Sequence, residues 1–196
     1  DLVVHENRGL NPHIEDVARR LAAEGFLALA PDGLAPVGGY PGNDDEGKDM
    51  QAKLDPSKLW TDMKNSALFL KSHALSTGKL GITGFCWGGG VTNSLSCELS
   101  EAVQAAAPFY GDAPKAERVG RIKAPFLLHF AENDPRINAM WPPFEASLKA
   151  NQVQYQSYVY QGTQHGFHNN STPRYVEPAA KLAWERTISF FKSNLS

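Results

Sequence analysis

Six short runs of β-type residues punctuate the chain, at Leu2–His5, Phe26–Ala30, Lys79–Thr83, Val103–Ala107, Phe126–Phe130 and Gln156–Tyr160. Stretches with helical spacing of apolar residues separate most of them. A strand that must reach a parallel neighbour needs a long crossover, and a helix supplies it. The alternation therefore predicts an α/β fold: a mostly parallel central sheet with helices packed on both faces, giving three layers.

Helix punctuation supports this layout. Asn11 and Pro12 occupy N-cap and first-turn positions, Ile14, Val17, Ala18 and Leu21 form an apolar face, and Gly25 can end the helix. Asp55-Pro56 opens a second helix with Leu59, Trp60, Met63, Ala67 and Leu70 on its inner side. A third is expected after Gly88–Gly90, a fourth near Pro143–Ala150 and a last over Pro178–Asn194. The segment Pro31–Lys53, rich in Gly, Pro and Asp, is expected as a long loop forming a rim over a site. No repeat or linker interrupts the pattern, so residues 1–196 are expected to form a single domain.

Composition narrows the function classes. Nineteen basic and 21 acidic residues give a formal charge of −2, so no basic field is available for phosphate backbones or an anionic membrane. No apolar run approaches the roughly 20 residues that cross a bilayer. Neither a nucleic-acid partner nor a membrane is expected. The two cysteines, Cys86 and Cys97, fall on a turn and on the helix that carries the chain away from it, which disfavours a bridge between them. A reducing, cytoplasmic setting that keeps a thiol free is expected. The chain enters an apolar run directly after Asp1, and further N-terminal residues are expected upstream.

The chemistry concentrates at Gly84-Phe85-Cys86-Trp87-Gly88, where an apolar strand meets a helix. A nucleophile elbow needs this pattern, because its strained turn leaves no room for flanking side chains and lifts the central residue above the sheet. Cys86 would sit at a helix N-terminus, where the dipole favours the thiolate. Taken alone, the pattern is equally a tight turn around a small buried residue. Downstream, Asp134 follows the strand Phe126–Phe130, and His165 follows the strand Gln156–Tyr160 on a loop before the last helix. The chain order nucleophile, acid, histidine is that of α/β-hydrolases. Glu132 and His168 are the alternatives to Asp134 and His165. His5 and His129 are expected at strand ends, bonded to backbone. A metal cluster of His129, Asp134, His165 and His168 has no tight ligand pair to support it, and no metal or organic cofactor is expected.

The elbow, together with Val4-His5-Glu6-Asn7-Arg8-Gly9, Ala28-Leu29-Ala30-Pro31-Asp32, Phe109-Tyr110-Gly111 and His165-Gly166-Phe167, resembles the dienelactone hydrolase (carboxymethylenebutenolidase) family over almost the whole chain. Cysteine in the elbow discriminates, since most relatives of this fold carry serine. The resemblance implies a Cys86-His165-Asp134 triad cleaving small esters or lactones through a thioester. It implies Glu6 as the carboxylate that helps deprotonate the thiol, and the backbone N–H groups of Asn7 and Trp87 as the oxyanion hole. Arg8 and Tyr110 become candidate substrate-binding residues.

Two departures matter. Family members that cleave dienelactone hold its carboxylate with arginines, one of them a few positions after the histidine; here that stretch reads Phe167-His168-Asn169-Asn170 and the nearest arginine is Arg174. A fixed carboxylate clamp is not carried over, which argues against dienelactone itself and leaves Arg8 and Lys48 as replacements. The family also carries strands ahead of the one that supplies Glu6, and these are expected to be missing from this chain. The rival readings are an inert member that binds a small molecule or partner, and a redox role for Cys86, which lacks a clear resolving cysteine.

Overall fold

The computed structural model describes residues 1–196. Five parallel strands lie in the order β1-β2-β3-β4-β5. They are β1 (Leu2–Val4), β2 (Leu80–Phe85), β3 (Val103–Phe109), β4 (Phe126–Asn133) and β5 (Tyr155–Gln164). Seven helices accompany them: α1 (Pro12–Ala23), α2 (Asp44–Lys53), α3 (Pro56–Ser72), α4 (Trp87–Glu98), α5 (Ala116–Val119), α6 (Pro135–Ala150) and α7 (Glu177–Leu195).

Strand alternation sorts the side chains into layers. Val3, Ala105, Ala107, Phe109 and Leu127 pack with Ile14, Val17 and Leu21 of α1 and Phe191 of α7. Their neighbours turn the other way: Leu2, Val4, Leu80 and Ile82 meet Leu59, Met63 and Leu70 of α3 and Leu95 of α4, while Phe126, Leu128 and Phe130 meet Phe144 and Leu148 of α6. Strands β1 to β4 are covered on both faces and read as nearly continuous apolar runs rather than alternating ones, whereas β5, at the sheet edge, leaves Val159 exposed. The helix starts follow local chemistry: Asn11 Oδ1 accepts from the Ile14 N–H at 3.1 Å, and Asp55 Oδ1 from the Ser57 N–H at 3.0 Å.

Four expectations need correction. Phe26–Ala30 forms no strand, only an isolated bridge between Leu29 and Leu2; Pro31, which has no N–H to donate, follows directly. The fourth helix begins at Pro135 and runs through Pro142 and Pro143. Pro143 is not a helix start because Pro135, directly after Asp134, already fills the first-turn position. The third helix begins at Trp87 and contains Gly88–Gly90 instead of following them. Pro31–Lys53 is not a bare loop: it holds a 3₁₀ turn (Ala35–Val37) and α2, capped by Asn43. Nor does it overhang the thiol. Gln51 accepts the Gly9 N–H at 2.9 Å, and Gly47 has no room for a Cβ beside the Arg8 backbone, so the segment buttresses the loop carrying Glu6, Asn7 and Arg8.

Candidate active site

The turn at the C-terminal end of β2 sets the geometry. Cys86 adopts φ 59°, a left-handed conformation that a side chain tolerates only where surrounding structure imposes it. Packing on either side makes glycine necessary. A Cβ on Gly84 would lie 2.7 Å from Thr92 Oγ1 and closer still to the Gly88 carbonyl, and one on Gly88 would press on the backbone of Val4 and His5. The Cys86 N–H donates to the Phe109 carbonyl at 3.1 Å, and its own carbonyl accepts from Gly89 at 2.9 Å. The elbow is thus stitched to both β3 and α4.

Asp134 is the first residue beyond β4, at the N-cap of α6, and is 6% exposed. His165 stands on the turn after β5, shaped by Gly166 at φ 88°. The structure brings the three side chains into line: His165 Nδ1 is 2.6 Å from Asp134 Oδ2 and Nε2 is 2.9 Å from Cys86 Sγ. Burial works against charging this imidazole, but the hydrogen bonds to Asp134 and Cys86 and their charges outweigh it, raising His165 to about 9. Glu132, the alternative acid, lies within β4 and instead accepts the Gly162 N–H at 2.7 Å. His168, the alternative histidine, is buried rather than solvent-exposed, stacks on Phe85 with 5.0 Å between centroids and has no partner for either nitrogen; burial holds it well below the usual range.

The cavity beside Sγ encloses about 470 Å³ and includes Asn7, Trp60, Cys86, Trp87, Asp112 and Arg136 in its wall. A larger depression of about 660 Å³ beside Tyr158 and Arg186 shares none of these residues and includes none of Cys86, Asp134 and His165. The N–H of Trp87, first residue of α4, is one of the donors that a helix start leaves without an intrahelical partner. His5, fully buried, supports both flanks of the cavity. Its Nδ1 lies 2.6 Å from the Glu6 carbonyl, its Nε2 accepts the Gly33 N–H at 2.9 Å, and its ring stacks on Trp87 at 5.5 Å. Nδ1 is therefore the protonated nitrogen.

Glu6 is 6% exposed. It accepts from Asn169 Nδ2 at 3.0 Å and has no hydrogen bond to the thiol. Burial raises its carboxyl above the ordinary value, against the pull of Arg8, Asn169 and Arg174. Arg8 lies outside the cavity wall, its guanidinium 3.6 Å from Asp44 on α2. Lys48 is exposed on the same helix. Tyr110 is also outside the wall. It is 1% exposed, its ring sits 4.9 Å from the His165 ring, and its hydroxyl has no partner. It supports the imidazole from beneath; contact between its hydroxyl and a ligand would require the site to open. His129 is not a strand-end residue bonded to backbone but a mid-strand one, bonded to Tyr160 Oη at 2.8 Å and Thr187 Oγ1 at 2.9 Å. No cluster of three or more His, Cys, Asp or Glu side chains could hold a metal ion, and no helix is long and apolar enough to cross a membrane.

Arg136 went unread in the sequence. It stands two positions after Asp134 in the first turn of α6, and its Nη1 donates to Asp112 Oδ1 at 2.8 Å within the cavity wall. Its nearness to Asp134 was the available signal; nothing in the spacing pointed to Asp112.

Comparison with known proteins bears on this arrangement. Residues 2–195 match the family model described as the dienelactone hydrolase family. A protein of Aquifex aeolicus named "Putative carboxymethylenebutenolidase" is 34% identical, over 99% of this chain and 87% of its own length. The "Putative hydrolase fragment YghX" of Escherichia coli (strain K12) is 70% identical over 56 residues, 29% of this chain and about half (48%) of that relative. Among solved structures, a "Putative Dienelactone Hydrolase" from Klebsiella pneumoniae superimposes with a TM-score of 0.84 at 28% identity, over 97% of this chain and 85% of that one. The elbow, the sheet and these likenesses agree: the chain belongs to the dienelactone hydrolase family and is a carboxylic ester or lactone hydrolase of the α/β-hydrolase fold.

Proposed function

We propose that the chain hydrolyses a small carboxylic ester or lactone by thiol catalysis, with Cys86 as nucleophile, His165 as acid and base, and Asp134 as the group that orients the imidazole. The observation that carries this reading is the continuous line from Asp134 Oδ2 through His165 to Cys86 Sγ, 2.6 and 2.9 Å per step, built on a strained elbow. An imidazole raised to about 9 holds a proton firmly once it has taken one from Cys86, so the attacking pair is a thiolate beside an imidazolium.

The thiolate attacks the carbonyl carbon, and the negative charge moves to the carbonyl oxygen, which accepts from the N–H groups of Asn7 and Trp87. As the tetrahedral intermediate collapses, the carbon–oxygen bond breaks and His165 Nε2 gives its proton to the leaving alkoxide. In a lactone that alkoxide stays tethered as the opened ring. Water then attacks the thioester carbonyl while His165 takes its proton; collapse releases the acid and regenerates the pair. Asp134 holds Nδ1–H throughout, fixing the tautomer that leaves Nε2 facing sulfur. Glu6, buried and with its carboxyl raised above the ordinary value, can assist the proton transfer from the thiol to His165 when substrate displaces it from Asn169. No cofactor takes part in these steps, and the partner is a small molecule.

Hydrolysis of short p-nitrophenyl esters and a simple lactone by the wild type and by Cys86→Ala tests the reading. Loss of turnover in a folded variant is expected; full activity without the thiol would overturn it, and no activity in either would favour the inert-binder reading.

A further inference from the structure

We propose that the cavity beside Cys86 selects an uncharged, apolar group of the ester or lactone, and that Asp112 enforces this choice by neutralising Arg136, the one cation in the wall. The inference rests on Cys86 being the nucleophile but adds the chemical class of the substrate. The inner surface of the cavity is continuous with the hydrophobic layer beneath it. Leu59 and Val91 belong to that layer, and Trp60 and Trp87 pack against it. A volume of about 470 Å³ is in the ordinary range for a small-molecule pocket, with room for an aliphatic chain or a single ring against the two indoles.

Arg136 would by itself turn this cavity into a carboxylate site, since a guanidinium offers paired donors to a planar anion. Asp112 prevents this. Its carboxylate accepts from Arg136 Nη1 at 2.8 Å, and its backbone is fixed because its carbonyl accepts from Asn93 Nδ2 at 2.9 Å. Both side chains are more than half exposed, 61% for Arg136 and 57% for Asp112, so the bridge is a weak latch but a complete charge match. A substrate carboxylate would have to displace Asp112 and then remain beside it. Asp112 and Arg136 are thus specificity-determining residues for the group that enters the cavity.

The test compares p-nitrophenyl hexanoate with the hydrogen adipate ester, which has the same chain length and ends in a carboxylate. The wild type is expected to favour the neutral ester in kcat/KM. Asp112→Asn should narrow that ratio by roughly fivefold, the worth of one exposed charge pair, and Asp112→Asn/Arg136→Gln should restore it. In parallel, alkylation of Cys86 by N-hexyl iodoacetamide and by 6-(iodoacetamido)hexanoate, read by peptide mass, reports the same preference without turnover. Equal rates for both members of each pair in the wild type, or a ratio that Asp112→Asn does not move, would overturn the proposal. Selective alkylation without hydrolysis of either ester would refute the thiol-hydrolase reading while supporting the selectivity of the cavity.

Discussion

Gly84 offers a sharp perturbation because its environment can be measured. A methyl carbon there would sit 2.7 Å from Thr92 Oγ1 and closer to the carbonyl of Gly88. Comfortable contacts begin at about 3.5 Å, so the start of α4 must retreat by on the order of 1 Å, and a backbone carbonyl cannot rotate aside as a side chain could. Overpacking of this kind costs about 1–3 kcal/mol. For a domain of this size, each kcal/mol moves Tm by about 2–4 °C, so a fall of about 2–12 °C is expected. The same retreat carries Cys86 Sγ off its 2.9 Å contact with His165. A displacement near 1 Å at the reacting groups costs roughly 100-fold in rate. Gly90 is the matched control for stability. A Cβ there meets nothing nearer than 3.4 Å, and the position lies inside α4, so Gly90→Ala should raise stability by about 0.5–1 kcal/mol. Thermal unfolding followed by circular dichroism, with ester hydrolysis at 25 °C, reads both variants. Wild-type Tm and rate in Gly84→Ala would refute the claim that close packing of α4 on β2 dictates glycine here.

Two further outcomes follow from the ionisation and packing around the imidazole. His165 binds its proton more tightly folded, at about 9, than unfolded, at 6.5, so the stability it contributes is complete below about 6.5 and is lost as pH rises through about 9. The advantage of the wild type over His165→Gln in urea unfolding should shrink over that window, and kcat/KM should fall on its alkaline side; an advantage that grows with pH would contradict the ion pair. Tyr110→Phe removes a buried hydroxyl that has no partner, so its urea midpoint should match or slightly exceed that of the wild type. A loss above about 1 kcal/mol would mean that the hydroxyl makes a hydrogen bond in solution.

The layering was legible in the sequence because β1 to β4 are mostly apolar on both faces and the long helices carry recognisable start signals. Asn11-Pro12 and Asp55-Pro56 mark α1 and α3 to within a residue. Phe26–Ala30 has the composition of a strand yet forms one bridge, since pairing is a tertiary event that propensity does not report. α2 was hidden by its polarity: only Gly47 and Gln51 are buried, so no apolar stripe announces it. In the site, chain order and turn chemistry named the elbow, the acid and the histidine. They could not locate Arg8, which α2 draws to Asp44, or Tyr110, which lies beneath the imidazole rather than in the cavity. The pairing of Arg136 with Asp112 joins the start of α6 to the loop after β3, 24 positions apart, a distance that periodicity cannot bridge.

Intact-mass spectrometry of enzyme quenched in acid during turnover of a slowly hydrolysed p-nitrophenyl ester tests directly for a covalent acyl intermediate on Cys86. One acyl group per chain is expected, mapped by peptide mass to Cys86 and absent from Cys86→Ala. Turnover with no adduct on Cys86, and undiminished in Cys86→Ala, would contradict it.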